Sequence, residues 1–325
     1  MKRNSFLRFA AACMVGAIAP ATRAQPPTFP TRQVKLVVPY SAGGLPDTVA
    51  RILAPGLQKA LGQAVVVDNR AGAGGSVAAA VLAQAPADGH TLLLTDGPML
   101  SITPLLTAKM SYDAAKDFVP VSLVGIAPLF LVIPAGLKAR SLEEFVALAK
   151  AKPGAMNYGS SGVGSIHHLT AEAMIKGFGI SVTHVPFRGS ANSVPAMIAG
   201  QVEMAFSSPP SIMGFVKSGQ ARLLAINSAR RSPLAPDVPT LAESLPGFDF
   251  AFNVVVMARV GTPSDAIARI SSEIGKIVHQ PGVAEHLQQA GVDPVGGTPA
   301  QLAAALEKEA QRVASAAKGA GLRPQ

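Results

Sequence analysis

The chain has no tryptophan, a single cysteine and only three tyrosines. The cysteine, Cys13, falls in the N-terminal segment, so the rest of the chain can form neither a disulfide nor a cysteine-ligated metal site. Charged residues make up 14% of the sequence, with a net charge of +9. Beyond the N-terminal segment the only adjacent basic pair is Arg230-Arg231, and no basic helix is interleaved with aromatics. Nucleic acid is therefore not expected as a partner. A dispersed basic surface still favours small anions. Short-period repeats and low-complexity tracts are also missing.

What is present begins with an export pattern. Met1-Lys2-Arg3 and Arg8 precede an apolar run from Phe9 to Ile18, followed by Ala21-Thr22-Arg23-Ala24. Charged, apolar and small-residue regions in that order predict a signal peptide over residues 1–24, cleaved after Ala24, with Ala21 as the second choice. The apolar run is too short to span a bilayer. No adjacent arginine pair marks the folded export route, and Ala10-Ala11-Ala12 before Cys13 lacks the leucine expected of a lipidation site. Removal of the segment takes Lys2, Arg3, Arg8 and Arg23 with it. The expected location is the periplasm.

The remaining chain could form one large domain or two of ordinary size. Strand-like and helix-like runs alternate along it, which predicts an α/β fold with parallel sheets and crossover helices. Expected strands are Val34–Pro39, Ala64–Val67 and Thr91–Leu94, then Met156–Tyr158, Val182–Val185, Met204–Phe206 and Leu223–Ile226. The apolar stretch Val119–Ile133 reads as a passage from one domain to another, and Phe250–Met257 as the return. Domain 1 is expected over 25–125 and 252–325, domain 2 over 126–251. Ser141 with Glu144 predicts a capping box for a helix over Glu143–Lys150. Helical segments Pro263–Val278, Val283–Gln289 and Pro299–Ala316 finish the chain, and the last is expected to pack back on the first domain.

The two units repeat one design. Pro39-Tyr40-Ser41-Ala42-Gly43-Gly44 follows the first strand, and Pro46-Asp47 opens a helix. Asn157-Tyr158-Gly159-Ser160-Ser161-Gly162-Val163-Gly164-Ser165 spans the matching strand end of the second unit. Each reads as strand, tyrosine, bare loop, helix. Such a loop lets another group approach the backbone closely. The helix start beside it offers N–H groups and the positive end of a dipole, which together make an anion site. In open α/β sheets ligands sit beyond the carboxyl ends of the strands, so two facing units would line one cleft. A carboxylate accepting four charge-assisted bonds at ~1.5–3 kcal/mol each, less an association cost of at least ~4 kcal/mol, and gripped at a second polar end, would bind at about micromolar strength. That suits capture followed by release.

Nucleotide phosphate is a poor fit. Gly44-Leu45, Gly75-Ser76 and Gly164-Ser165 lack the lysine of a P-loop, and Val77 stands where a dinucleotide fingerprint needs its third glycine. A hydrolase is the alternative: Gly159-Ser160-Ser161-Gly162 approaches a nucleophile elbow, but Val163 replaces its second glycine. Ser165 and His168 are three residues apart and could touch, although no orienting acid is evident. His167-His168 lacks the spacing of helical metal ligands. No cofactor is expected.

Several segments taken in order resemble a family. They are Pro39-Tyr40-Ser41-Ala42-Gly43-Gly44 with Asp47 and Ala50-Arg51; Asp68-Asn69-Arg70-Ala71-Gly72-Ala73-Gly74-Gly75; Ala87-Asp88-Gly89; Asp117-Phe118-Val119-Pro120-Val121-Ser122; Asn157-Tyr158-Gly159-Ser160-Ser161-Gly162; His184-Val185-Pro186-Phe187-Arg188-Gly189; Asp237-Val238-Pro239-Thr240; and Gly261-Thr262-Pro263. The chain resembles the Bug-type periplasmic solute-binding receptors of tripartite tricarboxylate transporters. The resemblance implies two Rossmann-like domains joined by two crossing strands, periplasmic binding protein-like, closing over a ligand in the cleft. It also implies a monomeric receptor that delivers a small organic carboxylate to membrane transporter subunits. A receptor that signals to a membrane sensor is the alternative within the same fold.

The implied ligand-binding residues are Tyr40, Ser41, Ala42, Gly43 and Gly44; Thr95 and Asp96; Ser160, Ser161, Gly162, Gly164, Ser165 and His168; Arg188; and Ser207. Where family members often carry Asp-Asn, this chain has Ser207-Ser208, which weakens the case for a ligand ammonium group. Arg188 could reach a second carboxylate, and Arg70 is expected to be structural.

Overall fold

The computed structural model describes residues 29–106 and 110–320. Cys13 and the expected cleavage site at Ala24 lie outside the described residues.

The first sheet is laid down by β1 (Val34–Val38), α1 (Leu45–Leu61), β2 (Val65–Asn69), α2 (Ser76–Gln84), β3 (Thr91–Asp96) and α3 (Gly97–Leu106), then a single turn, α4 (Ala114–Asp117). In α1, Pro46 occupies the first turn, where its missing N–H costs nothing. Leu45, Val49, Leu53, Leu57 and Leu61 recur every four residues on the buried face, and Gly62 at φ +72° stops the helix. The long strand β4 (Phe118–Ala127) stays in this sheet, and β5 (Phe130–Pro134) begins the second.

The second sheet grows through α5 (Leu142–Ala151), β6 (Met156–Ser160), α6 (Ile166–Phe178), β7 (Val182–Pro186), α7 (Ser190–Ile198), β8 (Met204–Ser207), α8 (Pro209–Lys217) and β9 (Ala221–Ile226). The chain returns in β10 (Phe252–Arg259) and ends with α9 (Ser264–Val278), α10 (Pro281–Gln289), β11 (Asp293–Gly297) and α11 (Pro299–Ala320).

Strand order is β11-β4-β10-β3-β1-β2 in the first sheet and β7-β6-β8-β5-β9 in the second. In each, a central strand pairs in parallel with the next two strands of its unit, and a crossing strand lies antiparallel beside the third. The two domains thus repeat the arrangement β2-β1-β3 as β7-β6-β8. The loops after β1 and β6 occupy equivalent places at the strand ends.

Both passages between the sheets are held at one buried residue. Asn227 accepts from the Leu129 amide at 2.7 Å through Oδ1 and donates from Nδ2 to the Phe250 carbonyl at 3.0 Å. Its own amide and carbonyl bond Leu129 and Phe250 as well. A continuous apolar cluster runs from α1 and β1 through β4, β5 and β10 into α5 and α6. Phe130, Phe145 and Phe206 are buried completely, and truncating such a residue to alanine costs about 3–5 kcal/mol.

Some elements depart from the sequence expectation. The helices α3 and α8 and the strand β11 lie outside the expected elements. Each helix carries proline in its first turn, Pro98 in α3 and Pro209 with Pro210 in α8, a position that proline suits. The strand β11 carries Pro294, Gly296 and Gly297, all poor strand formers. The cap of α5 is shifted: Ser141 Oγ accepts from Glu144 N, but the Glu144 carboxylate reaches Arg140 N rather than Ser141 N. Finally, α11 packs on α3 and β4 of the first domain, and on α6 of the second.

Candidate functional site

The ends of β1, β3, β6 and β8 face a small cavity between the domains, about 10 Å³, near the lower limit for one water molecule. The first domain contributes Tyr40, the Gly44-Leu45-Pro46 start of α1, Asp96 and Phe252. The second contributes Ser161, the Ile166-His167 start of α6, Ser190 at the start of α7, and Ser208 before α8, with Leu129 from the crossing. Four helix starts therefore converge. Their dipoles favour negative charge at this point. Pro209 and Pro210 carry no N–H, so α8 adds its dipole but few donors.

Three buried side chains in this lining have no partner. They are Ser161 Oγ, Ser208 Oγ and both ring nitrogens of His167, each residue under one tenth exposed. A buried polar group without a hydrogen bond costs about 1–3 kcal/mol. Three of them around one interdomain cavity mark a place made for a polar guest.

The loop after β1 has a different part. Ser41 N donates to the Arg188 carbonyl across the cleft, Gly43 N to Asp47 Oδ2, and Gly44 N to Ser41 O. Ser41 Oγ is shared between the Arg188 carbonyl and Asn192 Oδ1. Ser211 Oγ, itself paired with Ser190 Oγ, reaches the Gly43 carbonyl. Ser41, Ala42 and Gly43 thus lie at the lip where the domains meet, and Gly44 alone of them reaches the cavity.

The loop after β6 is braced internally. Ser160 Oγ accepts from Gly162 N and contacts His184 Nε2 at 2.6 Å. Ser165 caps α6, accepting from His168 N and donating to the Gly162 carbonyl. The Ser165–His168 contact is therefore a helix cap through the backbone, and the dyad required for a hydrolase is not formed. The His168 ring stacks on His184 at 4.1 Å, and His184 on Tyr158 at 4.9 Å. Burial pushes His167 and His184 down to about 3 and His168 to about 4, with His168 adding to the effect on His184. All three rings are neutral at pH 7.

The structure places the other expected residues as follows. Tyr40 Oη donates to Asp96 Oδ2 at 2.6 Å, and Asp96 Oδ1 accepts from Met99 N, capping α3. Burial raises the pKa of Asp96 despite these bonds, and that of Tyr40 also. Thr95 Oγ1 turns to Met99 Sδ, and Ser207 Oγ to the Ser208 carbonyl. Gly164 N faces His168 Nδ1 at 3.4 Å. Gly162, at φ +115°, lies against Gly74 of the other domain. The Arg188 side chain is exposed, and the residue meets the opposite domain through its carbonyl. Arg70 pairs with Asp68 at 3.0 Å.

Sequence reasoning did not single out Ser190, Ser208 or His167. Ser208 had a usable signal, a serine directly before a Pro-Pro helix start. Among the described residues no group of three His, Cys, Asp or Glu could hold a metal ion. No described helix is long and apolar enough to cross a membrane.

A family model described as the tripartite tricarboxylate transporter family receptor matches residues 49–322. Similar solved structures include the following three. The structure described as "R. palustris Rpa4515 with adipate" shares 33% identity with a TM-score of 0.88, covering 91% of this chain and all of its own. MatC from Rhodopseudomonas palustris with bound malate shares 30% identity at a TM-score of 0.84, covering 89% of this chain and 99% of its own. The periplasmic binding protein BugD shares 27% identity at a TM-score of 0.87, with 91% and 100% covered.

Proposed function

Because this chain belongs to the tripartite tricarboxylate transporter receptor family, we propose that it is a periplasmic receptor that closes its two domains over a small organic carboxylate and presents it to the membrane subunits of such a transporter. The observation that carries this reading is the trio of unpartnered buried groups, Ser161 Oγ, Ser208 Oγ and the His167 ring, around the interdomain cavity. The converging helix starts supply the matching potential for an anion. The adipate and malate held by two similar structures support a dicarboxylate in particular.

The domains divide at the two crossings, 25–125 with 252–325 and 126–251. The separate sheet membership of β4 and β5, and of β9 and β10, supports a division at these crossings, although Ile126 and Ala127 still pair with β10 in the first sheet. Both halves of the site come from one chain, so a monomer suffices. The N-terminal charge and hydropathy pattern, with a processing site at Ala24, supports export, and the similarity to the periplasmic binding protein BugD supports the same location. The role is capture and release, with no bond made or broken.

A thermal-shift screen of organic acids tests the reading, since a ligand of the native state raises the melting temperature by mass action. Adipate, malate or a related acid should raise it in a saturable manner. A panel of carboxylates that leaves the midpoint unmoved at millimolar concentration, with the protein folded, would refute it.

A further inference from the structure

One wall of this anion cavity is an acid. Asp96 is 2% exposed, and it lines the same small space as Ser161, His167 and Ser208. Tyr40 Oη and Met99 N each supply one hydrogen bond, one to each carboxylate oxygen. A carboxylate has about four acceptor sites, so capacity remains. Among the described residues no ion pair includes Asp96, and the charged group coupled to it is another buried acid, Glu309. Both Asp96 oxygens already act as acceptors, so a ligand carboxylate set against them would bring acceptor against acceptor. A donor set there would complete its bonding.

The opposite wall has the reverse character. Ser161 and Ser208 offer hydroxyl donors, and neutral His167 offers one N–H. Side-chain donors of the second domain thus face the Asp96 acceptor of the first, beside the start of α1. Because donors and acceptor line one cavity, a ligand that satisfies both presents its complementary groups side by side. Building on the carboxylate reading above, we infer that the preferred ligand carries a hydrogen-bond donor, a hydroxyl or an ammonium, on the carbon beside its bound carboxylate, and that Asp96 selects for it. An unsubstituted acid leaves Asp96 facing a methylene. Sites built to bond a donor reject the analogue lacking it far more strongly than apolar pockets reject a change in size. The absence of an acid at Ser207-Ser208 does not remove this preference, because Asp96 supplies the acid from the other domain.

Calorimetric titration with acids of three to six carbons tests it, each offered in unsubstituted, 2-hydroxy and 2-amino forms. The wild-type protein should bind a substituted form at least tenfold tighter than its parent, the two substituted arms showing whether the donor is neutral or cationic. Asp96→Asn should shrink that ratio by tenfold for an ammonium and by less for a hydroxyl, since the amide oxygen still accepts. Asp96→Ala should abolish it in both arms, with circular dichroism reporting that the variants fold. Equal affinities within each trio, or a ratio unchanged in both variants, would overturn the inference while leaving the receptor reading intact. If no acid of any form binds the folded wild-type protein, both fall together.

Discussion

Ser41 gives its backbone N–H and its hydroxyl to one acceptor, the carbonyl oxygen of Arg188 in the opposite domain, at 3.3 and 3.1 Å. The same hydroxyl lies 2.6 Å from Asn192 Oδ1. These bonds use main-chain and short side-chain groups, which lose little freedom when they pair. They form a latch at the lip of the cleft that needs no contact with a guest.

Ser41→Ala removes the hydroxyl half of the latch. At about 1 kcal/mol net per bond, the closed population should fall by roughly fivefold relative to the open one. Small-angle scattering of the ligand-free protein should report a larger radius of gyration, and affinity should weaken by a similar factor. An unchanged radius and affinity would mean that the latch contributes nothing to closure.

Gly162→Ala should damage closure more. Its Cβ would stand 3.3 Å from the Gly74 amide nitrogen and 3.4 Å from its Cα, at a φ of +115°. Backbone strain of about 1–3 kcal/mol is expected, together with loss of the domain contact. Gly200→Ala is the control, with a φ of +78° and nothing within 4 Å of the added carbon. Both variants should lose melting temperature, but Gly162→Ala alone should lose ligand affinity, by tenfold or more in titration.

Glu309 on α11 makes stability depend on pH near neutrality. Burial raises its pKa from 4.5 to about 7, in spite of the Asn253 amide bond and nearby Arg312. Between those values the folded protein keeps a proton that the unfolded chain has released. The stability from this group is therefore complete below about pH 4.5 and is lost as pH rises through about 7. Glu309→Gln should be stabilised relative to wild type by roughly 1–3 kcal/mol at pH 8, with no gain at pH 4.5. Urea denaturation at the two pH values checks the difference.

The histidines act with the opposite sign. His167, His168 and His184 stay neutral when folded down to about pH 3 to 4, whereas the unfolded chain protonates them near 6.5. Their contribution is present above 6.5 and is lost as pH falls toward 3. The unfolded state should take up as many as three extra protons over that range, visible as a steep loss of urea midpoint below pH 6. His184→Gln should reduce the slope, and Glu309→Gln should make it steeper by removing the opposing group.

Much of the architecture could be read from the chain alone. Tyr40–Gly44 and Tyr158–Ser165 advertise paired strand–loop–helix units because glycine and serine leave so few alternatives there. The apolar stretches Val119–Ile133 and Phe250–Met257 announce the crossings because they are too hydrophobic for loops. The depth of the cavity was harder to see. Glycine loops mark close approach, but one sequence does not say whether a ligand or the opposite domain approaches. At the Ser41 loop it is the other domain. Adjacent positions on a helix point about 100° apart, so only the packed structure separates His168, stacked on His184, from His167 in the cavity. Ser190 and Ser208 begin helices with no glycine-rich loop beside them, whereas Asp96, expected in the site, does line the cavity.

The clamp at Asn227 constrains how the lobes can travel. One amide side chain grips both linking segments where they enter the second lobe, so neither can pivot independently. Rotation is left to the short stretches on the far side of Leu129 and Phe250, and both must flex in concert. The molecule should therefore swing like a door on one pin, its two lips moving together.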